Sequence, residues 1–122
     1  MTLKECYESF GGDFESVLGR LQREQLVERF VYKFLDDKSF CLFISSMENK
    51  DYAEALRAVH TLKGICQNLS FVRLYESSSL ATSALKENDY QKASGIILRL
   101  SDDYNQVVNA IREYKRRREG QS

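Results

Sequence analysis

The segment around which the predicted fold and the candidate site are both arranged reads Arg57-Ala58-Val59-His60-Thr61-Leu62-Lys63-Gly64-Ile65-Cys66-Gln67-Asn68-Leu69. It contains the only histidine of the 122-residue chain. Lys63 and Gly64 follow His60 by three and four positions, so an α-helix places all three on one stripe of its surface. A nucleophilic imidazole, a cation and a position without a side chain are therefore predicted to be neighbours.

Apolar periodicity predicts which side of this helix is buried. The buried stripe consists of Tyr52, Ala55, Leu56, Val59, Leu62, Cys66 and Leu69. At about 100° per residue, His60 lies about 120° from the centre of that stripe. We therefore expect an exposed imidazole on a helix that opens with a capping pair, Asp51 and Glu54, and ends near Leu69.

The composition of the whole chain favours an all-α fold. There are no prolines and only six glycines, and the abundant Leu, Glu, Lys, Arg and Ala are good helix formers. A chain of this length forms one domain with its own core. Short connections between long amphipathic helices predict an up-down-up-down antiparallel four-helix bundle. We place the single domain at residues 1–122, with the bundle over 21–118 and a short N-terminal helical extension over 1–20.

Capping residues mark the beginning of the chain. Thr2 and Glu5 form a capping box for a short helix to Phe10, and Asp13 caps a further turn or two. We expect these turns to form a peripheral lid on the bundle.

Apolar residues recur at spacings of three and four over residues 23–36, and again up to residue 49. Ser39 is the predicted N-cap of the second piece. The two pieces are either one bent helix or two helices in series.

The C-terminal part contains two further predicted helices. Ser70 is the predicted cap of a helix over 71–88, whose inward face is rich in small residues that let a neighbouring helix approach closely. Asp89 caps the last helix, which ends in a basic run over 115–118. Cations at a helix C-terminus are favoured by the helix dipole, and we prefer this interpretation to a nucleic-acid-binding arm.

Charge and cysteine content limit the classes of partner. Eighteen basic residues balance eighteen acidic ones, so no overall field attracts nucleic acid or a membrane surface. Cys6, Cys41 and Cys66 are an odd, widely spaced set without a secretory signal, which favours free thiols and a cytoplasmic location. Apolar runs of a few residues are far shorter than the roughly 20 needed to span a bilayer. No nucleic-acid or membrane partner is expected.

The run His60-Thr61-Leu62-Lys63-Gly64, preceded by small and apolar residues, closely resembles the signature of histidine-containing phosphotransfer (HPt) domains. The resemblance continues through Leu56-Arg57-Ala58-Val59 upstream and through Cys66-Gln67-Asn68-Leu69 and Leu74 downstream. The order of helices fits the family domain from about residue 21 to residue 111. One departure is Ser70, where the family commonly has glycine.

The resemblance implies a stand-alone phosphocarrier of a two-component phosphorelay. Such a phosphoprotein accepts and donates a phosphoryl group on its histidine, in exchange with the aspartate of response-regulator receiver domains. A hybrid histidine kinase is a further implied partner, and a monomer is expected. The receiver supplies the divalent metal, so the chain itself needs no cofactor and has no kinase or hydrolase activity of its own.

The resemblance also assigns roles to single residues. His60 is the phosphoacceptor through Nε2, Lys63 interacts with the phosphoryl oxygens, and Gly64 gives the partner access. On the facing helix, Thr82 occupies the position where many members carry a glutamine that hydrogen-bonds the imidazole. The remaining candidates are Lys86 as a second cation and Gln67 at the rim of the site.

Some of these residues also fit purely structural roles. Gly64 could instead let another helix of the chain pack closely, and Lys86 could be an ordinary surface lysine. The positions three and four residues from His60 hold no Asp, Glu or Cys, which argues against a helical metal site. No Gly-x-Ser-x-Gly motif or second histidine supports hydrolysis.

Two alternatives concern the whole protein. The dimerisation region of a histidine kinase typically has an acidic residue after its histidine and a proline shortly beyond. Here Thr61 follows His60 and the chain has no proline. The remaining competitor is a helical interaction module that docks a receiver or a kinase without carrying phosphate.

Overall fold

A computed structural model describes residues 1–120. Within that range the chain is helical and contains no strand, which confirms the predicted all-α class. The seven helices of this range are α1 Leu3–Ser9, α2 Phe14–Leu21, α3 Glu24–Phe34, α4 Ser39–Glu48, α5 Tyr52–Leu69, α6 Val72–Lys86 and α7 Tyr90–Gly120. Residues 121 and 122, at the end of the predicted domain, lie outside the described range.

Four of the predicted helix N-termini carry the side-chain caps that the sequence indicates. Thr2 and Glu5 bond reciprocally, with backbone-to-side-chain distances of 2.8 and 3.0 Å. Asp13, Asp51 and Asp89 each accept a hydrogen bond from the backbone N–H three residues further on, at 3.1, 3.2 and 3.1 Å. A cap of this kind stabilises a helix by about 1 kcal/mol, so these bonds fix where α1, α2, α5 and α7 begin.

The predicted cap at Ser39 is wrong by one residue, because the N-cap of α4 is Lys38. Ser39 is the first residue of α4, and its backbone N–H donates to Asp37 Oδ2 at 2.9 Å. The Asp37 carboxylate thus satisfies a backbone N–H at the start of α4, as the side chain of an N-cap residue does in other helices. Residues 23–49 form two helices in series, because a turn over 35–38 separates α3 from α4.

Ser70 does not cap the helix that follows it. It ends α5 in the left-handed conformation, with φ of 58°. The next helix begins at Val72, and its N-cap, Phe71, makes no side-chain capping bond. The serine therefore occupies the conformation that glycine adopts most easily, at the position where HPt domains commonly have glycine.

The N-terminal extension is part of the core and not a peripheral lid. Leu3, Cys6, Tyr7 and Phe10 are buried. The Tyr7 hydroxyl donates a 2.9 Å hydrogen bond to the Leu69 carbonyl at the end of α5. Tyr7 and Phe10 also pack against the Phe71 ring, with centroids 5.6 and 5.0 Å apart. Burial of such side chains contributes roughly 1.5–3 kcal/mol each, so α1 closes the end of the core next to the α5–α6 turn.

Packing around α5 decides which of its faces meets solvent. This helix contacts α4 and α6, while α6 also contacts α7. Its buried residues are Ala55, Ala58, Val59, Leu62, Cys66 and Leu69. Tyr52 and Leu56, also predicted on the buried stripe, are half-buried at its edge. The opposite flank of α5 remains open, and it carries His60.

Candidate functional site

His60 lies in the interior of α5 with its side chain exposed, as the helical spacing predicts. Its neighbours Val59 and Leu62 are buried, which turns the imidazole outward. Within residues 1–120 the imidazole has no hydrogen bond and no ion pair. A ring nitrogen is therefore available to a molecule that arrives from solvent.

An open groove of about 420 Å³ adjoins the imidazole where α5 meets α6. Its lining residues are Ala53, Leu56, Arg57, His60 and Lys86. Helical side chains lean towards the N-terminus of their helix, so the imidazole lies over the preceding turn, the turn of Leu56 and Arg57. The groove therefore places the histidine ring beside two cations from two different helices.

Lys63 supplies a third cation on the other side of the ring. It is half-buried on the turn of α5 that follows His60, and side chains of a helix generally lean towards the preceding turn. Neither Lys63 nor Lys86 forms an ion pair with a carboxylate in the part of the chain that the structure describes. Both charges are thus available to an anion near His60, where attraction acts over a few ångströms.

Gly64 leaves the surface beside His60 open. A Cβ atom built at this position meets no atom within 4 Å. No other helix of residues 1–120 comes within 4 Å of this position, so the alternative that Gly64 allows close packing within the chain has no support. A side chain at position 64 would lean back over the turn that holds His60. The absence of one keeps this approach to the ring free.

Gln67 lies further along the same face, and it is exposed. It lines a second groove of about 370 Å³ together with Gly64, Asn68 and Arg20. The rim position predicted for Gln67 is thus one helical turn beyond Gly64. This second groove extends the open face of α5 away from Lys86.

Arg20 is a neighbour that the sequence does not reveal. Its Nη2 atom donates to the carbonyls of Gln67 and Asn68, at 3.2 and 2.6 Å, and to Ser70 Oγ at 2.6 Å. A cation is favoured at a helix C-terminus, but only the fold shows that α2 ends beside α5. Arg20 therefore fixes the last turn of the helix that presents His60.

Thr82 is buried inside the protein and is not hydrogen-bonded to His60. Its Oγ1 donates at 2.8 Å to the Ser78 carbonyl, one turn earlier in α6. The hydroxyl proton is thereby engaged within the helix, as is common for threonine in a helix interior. The structure thus places His60 and Lys86 in one groove, Lys63 and Gly64 on the next turn of α5, and Thr82 in the interior.

Thiols and metal ligands play no visible part in this site. Cys6 and Cys66 are buried, and Cys41 is exposed. Burial raises the pKa of Cys6 to about 12 and raises the pKa of Cys66 as well, which disfavours the thiolate form that binds metals. Residues 1–120 contain no group of three or more His, Cys, Asp or Glu side chains placed to hold a metal ion.

Comparisons with models of protein families, with curated proteins and with solved structures found no match for this chain. In the range 1–120, no helix has both the length and the apolar character needed to cross a membrane.

Proposed function

We propose that this chain is a phosphocarrier of a two-component phosphorelay. It accepts a phosphoryl group on His60 from the aspartyl phosphate of a receiver domain and donates it to another receiver. One observation carries the proposal: the only histidine is exposed between cations from α5 and α6, beside a glycine over which nothing packs. The site thus combines a nucleophile with positive charge for the incoming phosphoryl group. It also leaves room for the receiver domain that brings this group.

The proposed chemical step asks little of the chain. The Nε2 lone pair of neutral imidazole attacks phosphorus, the P–O bond to the receiver aspartate breaks, and the carboxylate leaves with the bonding electrons. Lys63 and Lys86 attract the equatorial phosphoryl oxygens, on which charge accumulates during transfer. The divalent metal belongs to the receiver. Because phosphohistidine is itself a reactive donor, the same groups serve the reverse transfer, and the chain acts without kinase or hydrolase activity of its own.

We propose the architecture of an HPt domain for the same residues. Helices α4, α5, α6 and α7 pack in sequence order, and α4 also contacts α7. These contacts support an up-down-up-down four-helix bundle over residues 21–118, with α3 and α4 in series as its first element and α1 and α2 as its N-terminal extension. In this proposal the protein is a cytoplasmic monomer whose partners are receiver domains and a hybrid histidine kinase. Neither nucleic acid nor membrane is a partner.

Receiver domains from the same genome, charged with acetyl phosphate, test the proposal. We expect phosphate to leave a receiver and to appear on this chain. The competing function is a module that docks a receiver or kinase through the same open face without carrying phosphate. A receiver that binds the chain yet keeps its phosphate would favour that module and contradict the phosphocarrier.

A further inference from the structure

The side chain of Arg57 lines the groove beside His60, but it is turned to an acidic neighbour. Its Nη1 atom lies 2.8 Å from Glu54 Oε2, one turn further towards the N-terminus of α5. Of the groove-lining residues, it is the only one that forms an ion pair within residues 1–120. Glu54 therefore holds this guanidinium on the side away from the imidazole.

We propose that Arg57 is a phosphoryl-binding residue and that Glu54 competes for it. Without phosphate on His60, the guanidinium pairs with Glu54; with phosphate on His60, it donates hydrogen bonds to the phosphoryl oxygens. The inference rests on the proposed function only in requiring that His60 can carry a phosphoryl group. Arg57 then stabilises phosphohistidine. Glu54 reduces this stabilisation, because it competes for the same guanidinium.

The Arg57–Glu54 pair is weak enough to exchange partners. The Arg57 side chain is 72% exposed, and exposed ion pairs contribute little free energy because water screens them. A single guanidinium nitrogen faces Glu54, whereas the group carries five N–H donors. No other acceptor in the described range engages the remaining donors. Arg57 can therefore turn to a new anion without breaking packing or moving the backbone.

Charge and position favour a phosphoryl group on His60 as that anion. Phosphoryl groups carry about −1.5 to −2 charges near pH 7, against −1 for the Glu54 carboxylate. The guanidinium fork binds such oxygens in pairs, which a lysine ammonium cannot do. Arg57 precedes His60 by three residues, and the imidazole leans over its turn. Lys86 borders the same groove from α6, so a phosphoryl group there would lie between the two cations.

Direct chemical phosphorylation tests Arg57 independently of any protein partner. Potassium phosphoramidate is used to load His60, and the ³¹P chemical shift of the phosphohistidine is followed against pH. A nearby cation disfavours protonation of the phosphorylated imidazole, so Arg57→Gln should raise the midpoint of this titration by roughly half a pH unit. Glu54→Gln removes the competing carboxylate and should lower the midpoint. If Glu54 acts only by competing for the guanidinium, Glu54→Gln in the Arg57→Gln background should not shift the midpoint further. An equal fall of the midpoint in both backgrounds would show a direct effect of the carboxylate charge and overturn the competition.

Arg116→Gln provides a matched control. Arg116 pairs with Glu113 at 2.6 Å in the same three-residue spacing on α7, outside the His60 groove. Its loss should leave the titration unchanged.

An unchanged midpoint in Arg57→Gln, with His60 loaded, would overturn the role of Arg57. A shifted midpoint in a protein that exchanges phosphate with no receiver would uphold Arg57 and contradict the phosphorelay. Failure of phosphoramidate to load wild-type His60 would contradict both.

Discussion

The side chains of Arg20 and Ser70 are joined by a 2.6 Å hydrogen bond from Nη2 to Oγ, at the point where α5 ends. Ser70 has φ of 58°, a conformation that is costly for residues with a Cβ atom. Its hydroxyl offsets part of that cost by accepting this bond. Arg20 and Ser70 thus fix the end of α5, the helix that carries His60.

Two substitutions at position 70 separate the hydroxyl from the backbone conformation. Both Ser70→Ala and Ser70→Gly remove the bond to Arg20, but only alanine retains the Cβ atom in the left-handed region. We expect Ser70→Ala to lower the free energy of unfolding by about 1–2 kcal/mol, and by about 1 kcal/mol more than Ser70→Gly. Urea unfolding of the two variants measures the difference. Equal stabilities would show that the conformation at residue 70 relaxes freely.

A bulky residue at position 64 tests whether the open surface serves a partner. In Gly64→Gln the new side chain enters free space, and glutamine favours the helix more than glycine does. The melting temperature should therefore stay the same or rise. Receiver binding and the rate of phosphate transfer should fall together, because the glutamine leans over the approach to His60. Gly95→Gln is the matched control, since a Cβ atom at this α7 glycine also meets no atom within 4 Å. Intact transfer in Gly64→Gln would place the docking face elsewhere.

The two lysines beside the imidazole should affect rate and not stability. Lys63→Ala and Lys86→Ala each remove an unpaired cation, so we expect unfolding free energies to change by less than about 0.5 kcal/mol. Transfer from a charged receiver should slow roughly tenfold in each, which corresponds to about 1.4 kcal/mol of lost transition-state stabilisation. Lys92→Ala, at an exposed position of α7, controls for the loss of a surface charge. A normal rate in either variant would reduce that lysine to a surface residue.

The three thiols should differ sharply in reactivity. Cys41 is exposed, whereas Cys6 and Cys66 are buried, and burial raises the pKa of both buried thiols. Their thiolate forms are therefore scarce near pH 8, where reagents such as dithionitrobenzoate attack thiolates. We expect one rapidly labelled thiol in the native protein, lost in Cys41→Ser, and three in urea. Rapid labelling of more than one native thiol would contradict the packing of α1 or α5.

The sequence predicts α5 well because its signals are local. Capping by Asp51 is a contact over three residues, and the exposure of His60 follows from the angle between successive side chains. Asp13 and Asp89 are identified in the same way. The end of α5 at Leu69 is also confirmed, although Ser70 ends that helix through a backbone conformation and not through a capping bond to the next one.

Contacts between distant residues could not be predicted from one sequence. The bond from Tyr7 to the Leu69 carbonyl spans 62 positions, and the bond from Arg20 to Ser70 spans 50. The spacing of apolar residues within a helix carries no information about such bonds between helices. The sequence alone therefore predicts a peripheral α1. Thr82 illustrates a further limit, because the direction of its hydroxyl depends on competition between the Ser78 carbonyl and every other acceptor nearby.

The central claim is that His60 carries the phosphoryl group, and the most direct measurement is the chemistry of the protein-bound phosphate. The chain is incubated with an acetyl-phosphate-charged receiver, and bound phosphate is measured after acid and after alkali treatment, for the wild type and for His60→Gln. Phosphohistidine is labile to acid and stable to alkali, so the wild type should lose its phosphate only in acid. His60→Gln should acquire none. Acid-stable phosphate that persists in His60→Gln would place the phosphoryl group on serine or threonine and contradict the account.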